Sequence, residues 1–195
     1  REREEISKLL SYIFNSWKVK LEDIASFSLG KYIEPQNLND NFEYPYMNAG
    51  INKIGNYNDA NQRANITIMS TRGASTGYIQ WMDEPFWQGN NCLAINVNNS
   101  KINSKYLYFY LKSKQEFIYS LANQSSVKSL EKNALANIDI ILPDMYRQNR
   151  IVDILNTFEN ISQNMNIGLP TEINLREKQY QYYLNRIFEI LDINS

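Results

Sequence analysis

The feature that most constrains this chain is a heptad of apolar residues between positions 151 and 168. The residues step by three, four, three and four, which is the spacing of the a and d positions of a coiled coil. They are Ile151, Ile154, Phe158, Ile161 and Met165. Beyond Gly168 and Pro170, a second stripe comprises Ile173, Tyr180, Tyr183, Ile187 and Ile190. The pattern predicts a helix over nearly all of 149–193, about 65 Å long at 1.5 Å per residue.

This long helix has one predicted interruption and two interpretations. Pro170 has no amide donor and clashes with the preceding turn, so the sequence predicts a kink near Gly168–Pro170. The helix is either an exposed coiled-coil spacer or a helical hairpin packed on the chain's own body, since most apolar stripes belong to a core. In the first case the two stripes form a seam that pairs with a second helix.

Composition excludes several classes of function. The 195 residues, 43% of them hydrophobic, suffice for one core with a helical appendage. The formal net charge of −1 argues against coating nucleic acid by global attraction, so a nucleic-acid site has to be a local patch. With no histidine and one cysteine, Cys92, the chain lacks the ligands of the usual zinc sites and the residues of Ser-His-Asp or Cys-His catalysis. We therefore expect no enzymatic activity and no metal site in this chain.

The expected location is the cytoplasm. The sequence contains no apolar run long enough to span a bilayer and no signal-peptide pattern. Its single cysteine cannot form an internal disulfide, which fits a reducing compartment.

The residues before the long helix predict an α+β body. A short strand is expected at 44–47 within a mostly loop region from 35 to 62. Ile66 and Ile68 alternate with polar residues, and 78–82 follows a glycine-bracketed loop, which predicts a β-hairpin. Further expected elements are a strand over 93–97, a helix capped by Asn103 or Ser104, a short helix at 130–136 and a strand from Ile138 to Leu142.

The two ends of the chain resemble each other. Residues 1–14 are predicted to be a helix, and KLLSYIFNS at its end aligns with YYLNRIFEI near the C-terminus at an offset of 174. Leu10 then matches Leu184, Ile13 matches Ile187 and Phe14 matches Phe188. Such a match is typical of one unit taken from a tandem repeat.

Two polar loops are candidates for ligand recognition. In the loop 71–77, Arg72 can bond a guanine edge or a phosphate, and Ser75 and Thr76 are short donors that suit phosphate oxygens. The second loop supplies Gln124, Ser125, Ser126 and Lys128. The alternatives are an ordinary hairpin turn and a solvated connection. Asparagines such as Asn48 can bond adenine, although a low-GC coding bias explains their abundance equally well.

Several segments together resemble the specificity subunit of type I restriction–modification systems. The resemblance is carried by Ile140-Ile141-Leu142-Pro143, by the run from Arg150 to Asn156, and by Gly168-Leu169-Pro170-Thr171-Glu172-Ile173 with the following Leu175-Arg176 and Lys178 to Tyr183. It extends to Trp17, Leu21-Glu22-Asp23-Ile24, Tyr44-Pro45 and Arg72 to Gly77. The chain departs from the family in having one proline, Pro143, where a pair is usual. It matches only half of a usual subunit, which has two target recognition domains and two long helices.

The resemblance implies a domain organisation and a set of partners. Residues 1–16 would be the tail of a conserved-region helix, 17–147 one target recognition domain with short twisted strands and flanking helices, and 148–195 a coiled-coil spacer. The chain would read one half of a bipartite DNA target, position methyltransferase subunits and act with a restriction subunit. It would hold no cofactor itself, whereas its partner subunits would use S-adenosylmethionine, ATP and Mg²⁺.

The residues expected to act follow from the apolar heptad and from side-chain chemistry, since no residue-level rule of DNA reading carries over from the family. Two copies would form a homodimer through the seam, reading inverted half-sites. The seam residues are Ile151, Ile154, Phe158, Ile161, Met165, Ile173, Tyr180 and Ile187. The expected DNA contacts are Lys31, Asn48, Lys53, Arg72, Ser75, Thr76, Gln80, Gln124, Ser125, Ser126 and Lys128, with Lys132 as a further phosphate contact. The rival hypothesis is a coiled-coil adaptor with an α+β head that binds protein and has no role on DNA.

Overall fold

The computed structural model describes residues 16–122, 130, 132–164 and 170–193, and within them the fold is α+β. The strands are β1 (Ser16–Lys20), β2 (Ala25–Leu29), β3 (Tyr44–Met47), β4 (Gly55–Tyr57), β5 (Ile66–Ser70), β6 (Ile79–Met82), β7 (Trp87–Gln88), β8 (Cys92–Val97) and β9 (Asp139–Pro143). The helices are α1 (Leu21–Ile24), α2 (Ser104–Ser113), α3 (Gln115–Ser120), α4 (Lys132–Ala136), α5 (Met145–Asn164) and α6 (Pro170–Ile193). We call residues 16–143 the head.

Three sheets form the head. The largest is antiparallel in the order β2-β8-β5-β6, the second has the order β4-β3-β7, and β1 pairs with β9 alone. The predicted hairpin is confirmed, because Met69 pairs with Ile79 and Ile66 with Met82. The region 35–62 contains more structure than its composition indicated, since β4 and a 3₁₀ turn at Pro35–Asn37 lie within it. The two-residue strand β7 was not predicted at all.

Helix α2 is the centre of the molecule. The predicted cap is confirmed: the Asn103 side-chain oxygen accepts hydrogen bonds from the backbone N–H of Lys105 at 2.8 Å and of Tyr106 at 3.2 Å. The six consecutive residues 106–111 are all buried. An amphipathic helix buries only one stripe, so this helix has protein on every side. The large sheet contacts it on one side, and α5 and α6 contact it on the others.

The prediction of one long rod is wrong for the described residues, because α5 and α6 form a helical hairpin on the head. The rings of Phe158 and Tyr183 stack with centroids 5.1 Å apart. In a continuous helix these two residues would be separated by about 37 Å. The second interpretation of the apolar stripes, a hairpin packed on its own body, describes this arrangement. The predicted kink near Gly168–Pro170 falls largely in 165–169, outside the described residues, and α6 begins at Pro170.

The buried faces of the hairpin also differ from the predicted seam. On α5 the buried residues are Val152 and Leu155, while Ile154 is 42% exposed. Ile151 and Phe158 are partly buried against the core. On α6 the buried stripe is Tyr180, Leu184, Phe188 and Leu191. Of the seam residues, Tyr180 is thus in the core and Ile187 packs against it, whereas Met165 and the side chains of Ile161 and Ile173 lie outside the description.

Apolar contacts cross the proposed boundary between head and spacer. One core cluster joins Leu107 and Phe109 of the head to Leu155, Leu184 and Phe188 of the hairpin. Polar contacts cross it too, because the buried Gln148 side chain accepts a hydrogen bond from Asn103 N–H and donates to Pro143 O. The division at residue 147 stays a prediction, as does that at residue 16, and the predicted helix over 1–14 lies outside the described residues.

Candidate nucleic-acid interface

One end of the head gathers the loops of two different sheets. In the large sheet Leu29 pairs with Leu93, Ser70 with Cys92 and Met69 with Ile79, so the loops next to these residues lie at the same edge. In the second sheet, Met47 pairs with Gln88 where β3 and β7 end. We call residues 30–31, 48–54, 71–77 and 89–91 the loop end.

Main-chain hydrogen bonds join these loops. Thr71 N–H donates to Asn91 O at 2.9 Å, and Gly30 N–H donates to Gly89 O at 3.2 Å. The Ser70 hydroxyl donates to Gly50 O at 3.2 Å, and this bond links the loop 48–54 to β5. Because backbone groups carry most of these links, the exposed side chains of the loops are not needed to hold the loops in place.

The loop 71–77 extends from this end, and two glycines with positive φ angles shape its backbone. Gly73 and Gly77 have φ angles of 84° and 89°, a region that glycine adopts without steric cost. Gly77 packs against Ile118 and Tyr119 of α3, so a side chain would have little room there, whereas nothing lies within 4 Å of an added Cβ at Gly73. Gly77 therefore anchors the base of the loop, and the exposed Arg72 beside Gly73 stands at its open tip.

The structure brings several of the predicted DNA-contact residues to the loop end. Lys31, Lys53 and Arg72 are exposed there, and Ser75 is partly exposed. Lys53 Nζ donates to Asn56 Oδ1 at 2.9 Å. DNA contact by these residues stays a prediction, and their exposure lets a phosphate or a base edge reach them.

Three of the other predicted residues have different surroundings. Asn48 is 8% exposed, and its Oδ1 accepts a hydrogen bond from Asn91 N–H at 2.9 Å. Thr76 is 3% exposed, and its hydroxyl donates to Gly73 O at 2.7 Å. Both side chains hold loops, so we no longer propose them as direct contacts. Gln80 points away from the loop end and lines a polar cavity with Asn156 of α5.

The second predicted loop, with Gln124, Ser125, Ser126 and Lys128, lies outside the described residues. Its C-terminal neighbour Leu130 donates its N–H to Thr71 O at 3.1 Å, so the chain returns from this loop beside the loop 71–77. Lys132 is exposed and its Nζ lies 5.6 Å from the ring centre of Phe27.

The loop end lacks acidic residues. The segments 44–58, 60–82 and 85–115 contain no aspartate or glutamate, although the chain as a whole has 21 acidic and 20 basic residues. A surface formed by these segments carries no carboxylate of its own to repel phosphates. The near-zero net charge of the chain therefore conceals a local excess of basic over acidic residues in these segments.

Sequence reasoning missed the residue that organises the centre of this region. Gln88 is fully buried, and its amide nitrogen donates to Ser28 O and to Cys92 O, each at 2.7 Å. Its Oε1 accepts a hydrogen bond from Gln62 Nε2 at 2.6 Å. Nearby, burial raises the pKa of the Cys92 thiol to about 12, so the thiol is neutral and unreactive at ordinary pH. A lone glutamine in an Asn-rich loop region gives no sequence signal of such a role.

Two kinds of feature are absent from the described residues. Over the described residues, no three side chains of the His, Cys, Asp and Glu types converge as a metal site would require. None of the helices described here has the length and apolar character needed to cross a membrane.

Comparison with known proteins identifies the family. Residues 15–175 match the family described as the type I restriction modification DNA specificity domain. A protein of Mycoplasma pneumoniae described as a type I specificity subunit is 31% identical over 191 residues, which are 95% of this chain and 62% of that protein. The specificity subunit of the type I restriction enzyme EcoR124I/EcoR124II of Escherichia coli is 35% identical over 94 residues, 47% of this chain and 23% of that one.

Solved structures agree in fold. The S subunit of a type I restriction–modification system from M. genitalium has a TM-score of 0.72 at 24% identity, covering 77% of this chain and 41% of that one. The HsdS subunit of Thermoanaerobacter tengcongensis has a TM-score of 0.59 at 15% identity, covering 97% and 51%. This chain spans about half to two thirds of the length of the first relatives it matches. It belongs to the type I restriction–modification DNA specificity family, whose members are non-catalytic subunits.

Proposed function

We propose that this chain reads one half of a bipartite DNA target, with the loop end as its reading surface. The observation that carries the proposal is the convergence of four acid-free loops at one edge of two sheets, with exposed cations among them. Phosphate contacts position a protein on DNA and base contacts specify the sequence. The loop end offers both kinds of group on a framework held by backbone hydrogen bonds.

The exposed residues of the loop end differ in the part of DNA that each side chain suits. Lys31 and Lys53 are point charges on flexible stems, which suits phosphate contact. Arg72 stands at the open tip of the loop 71–77, and its planar guanidinium suits bidentate contact to guanine. Ser75, beside it, can donate to a phosphate oxygen. Gln124, Ser125, Ser126 and Lys128 belong to the same proposal because Leu130 returns to Thr71.

Helices α5 and α6 supply the spacing between half-sites in this proposal. Two copies would associate through their helices with twofold symmetry and so read two inverted half-sites. The groove on α2 that now holds α6 would then hold α6 of the other copy, with Phe188 against Tyr106 and Tyr110 as in the single chain. Exchange of one element between identical chains preserves every contact in that groove.

The rest of the proposed complex lies in other chains. Methyltransferase subunits would modify the target held by this chain, and a restriction subunit would join them. S-adenosylmethionine, ATP and Mg²⁺ would belong to those subunits.

DNA binding by the chain, together with its methyltransferase subunits, tests the reading function. Affinity should fall steeply between 50 and 200 mM salt, by a factor on the order of 10³ for several phosphate contacts. Arg72→Ala should weaken binding to the specific site by about tenfold or more. Lys178→Ala, which removes an exposed cation from α6, is the matched control. Binding that ignores salt and Arg72 would favour the adaptor hypothesis instead.

Cysteine cross-linking tests the exchange of α6. Lys114 Nζ lies 2.5 Å from an Asp192 carboxylate oxygen, so a bismaleimide cross-linker with a flexible spacer, standing in for the long lysine side chain, would join cysteines at these two positions. In a Cys92→Ala background, bismaleimide treatment of Lys114→Cys/Asp192→Cys should give covalent dimers at tens of micromolar protein. Cross-linking only within single chains, together with a monomer in analytical ultracentrifugation, would contradict the exchange.

A further inference from the structure

A cavity of about 640 Å³ separates part of α6 from the head. It lies between α2, α3 and the hairpin, and the side chains that matter for its chemistry are Lys112, Glu116, Glu159, Glu177 and Tyr180. The lower part of the same contact is closely packed, with Leu184 and Phe188 almost completely buried. The contact between α6 and the head is therefore tight towards the C-terminal end of α6 and open around Tyr180.

Tyr180 lines this cavity, and its hydroxyl has no hydrogen-bond partner among the described residues. The residue is 8% exposed, and its Oη is buried. Glu159 and Glu177 line the same cavity as Tyr180. Burial raises the pKa of Tyr180, and the two carboxylates raise it further. An unsatisfied buried hydroxyl costs free energy that a ligand able to donate a hydrogen bond would recover.

The charges of the lining favour a cation. Three carboxylates face one ammonium group, and burial lowers the pKa of Lys112 to about 8. Lys112 already donates to Ile79 O at 3.1 Å and lies 4.0 Å from the ring centre of Tyr78. Glu159 is paired with Lys105 at 3.4 Å, but in the described part of the chain Glu116 and Glu177 form no ion pair.

The spread of these carboxylates decides between a metal ion and an organic cation. No three of them converge as metal ligands among the described residues. A molecule with several ammonium groups separated by methylene segments can reach carboxylates that are apart, and its methylenes can lie on tyrosine rings. We propose that this cavity binds a linear aliphatic polyamine, with an ammonium group donating to Tyr180 Oη and pairing with Glu177.

Such a ligand would hold α6 against the head. It would contact Glu116 of α3 and the α6 residues Glu177 and Tyr180 at once. Because it binds only when α6 is docked, it would stabilise the docked arrangement in proportion to its concentration. Its occupancy would thus oppose undocking of α6 from the head that holds it.

Calorimetric titration of the full chain with spermidine, without DNA, tests the site. We expect one saturable site per chain at an ionic strength matched with NaCl. Tyr180→Phe and Glu177→Gln should each weaken binding by about tenfold, the usual scale for losing a charge-assisted hydrogen bond. Tyr182→Phe and Glu189→Gln, exposed positions on the same helix, are the matched controls and should bind as the unmodified chain does.

A variant that is expected to bind spermidine more tightly separates a specific effect from misfolding. Lys112→Met removes the like charge next to the ligand, so it should bind spermidine more tightly than the unmodified chain. Equal binding by all variants would mean attraction to the acidic surface alone and would overturn the proposal, as would no binding at millimolar spermidine. DNA reading is measured separately, so either proposal can fail while the other stands.

Discussion

The loop end and the contact between α6 and the head are held by different kinds of interaction. At the loop end, backbone N–H and C=O groups join neighbouring loops, as in Thr71 to Asn91 and Gly30 to Gly89. In the contact between α6 and the head, side chains form the links: Phe188 packs on the rings of Tyr106 and Tyr110, and Asp192 pairs with Lys114.

Because the two regions are held by different interactions, we expect them to tolerate different sequence changes. A loop held by its main chain keeps its position when an exposed side chain is replaced, so recognition chemistry can change without loss of fold. A helix held by its side chains depends on their volume, because protein interiors are packed as densely as organic crystals. Variants in the two regions should therefore separate function from stability.

The largest effect is expected at the helix contact. Phe188→Ala leaves a cavity between two tyrosine rings and should reduce the free energy of unfolding by about 3–5 kcal/mol. Urea denaturation followed by circular dichroism measures the change. Tyr182→Ala, at a position 63% exposed, should cost less than about 0.5 kcal/mol. Similar losses from both variants would mean that α6 is not anchored where the structure has it.

The next effect is expected at the loop end, from the backbone itself. An added Cβ at Gly30 would lie 1.8 Å from Gln88 O, so Gly30→Ala forces β2 and β7 apart. We expect a loss of about 1–3 kcal/mol in the same denaturation assay. At Gly50 the nearest atom would be 3.5 Å away, so Gly50→Ala is the control and should be nearly neutral.

A smaller effect on the free energy of unfolding is expected when the pH is raised. Burial raises the folded-state pKa of Cys92 from 9.0 to about 12, so its stabilising contribution is complete below pH 9 and is lost as pH rises towards 12. Relative to Cys92→Ala, the unmodified chain should lose about 1 kcal/mol of unfolding free energy between pH 8 and pH 10. Denaturation of both proteins at the two pH values gives this difference, and a constant difference would mean that the thiol is accessible to water.

The smallest effect on stability is expected from Arg72→Ala. The side chain is exposed beside an open loop tip, so unfolding should change by less than about 0.5 kcal/mol. DNA affinity should nevertheless fall, as described above. A variant that loses both stability and affinity would show that Arg72 helps to hold the loop.

The sequence predicted much of the local structure. Alternating apolar residues predicted β5, β6 and β8, and the Asn103 cap with its following apolar face predicted α2. These signals are local, because they depend on neighbours within one element. The glycines of 71–77 likewise predicted the loop between β5 and β6, whereas its contact with DNA stays a prediction. Gln88 was not, because its partners Ser28 and Gln62 are distant along the chain.

The heptad marks the limit of this reasoning. Its spacing, with that of the second stripe, predicted helix with an apolar side over nearly all of 149–193, and the structure has helices over 145–164 and 170–193. Periodicity does not specify which molecule covers that side, because a partner helix and the chain's own head satisfy the same pattern equally well. Only the tertiary structure decided this: the aromatic face of α2 lies within reach of α6, and burying Leu184 and Phe188 there removes apolar surface from water within a single chain.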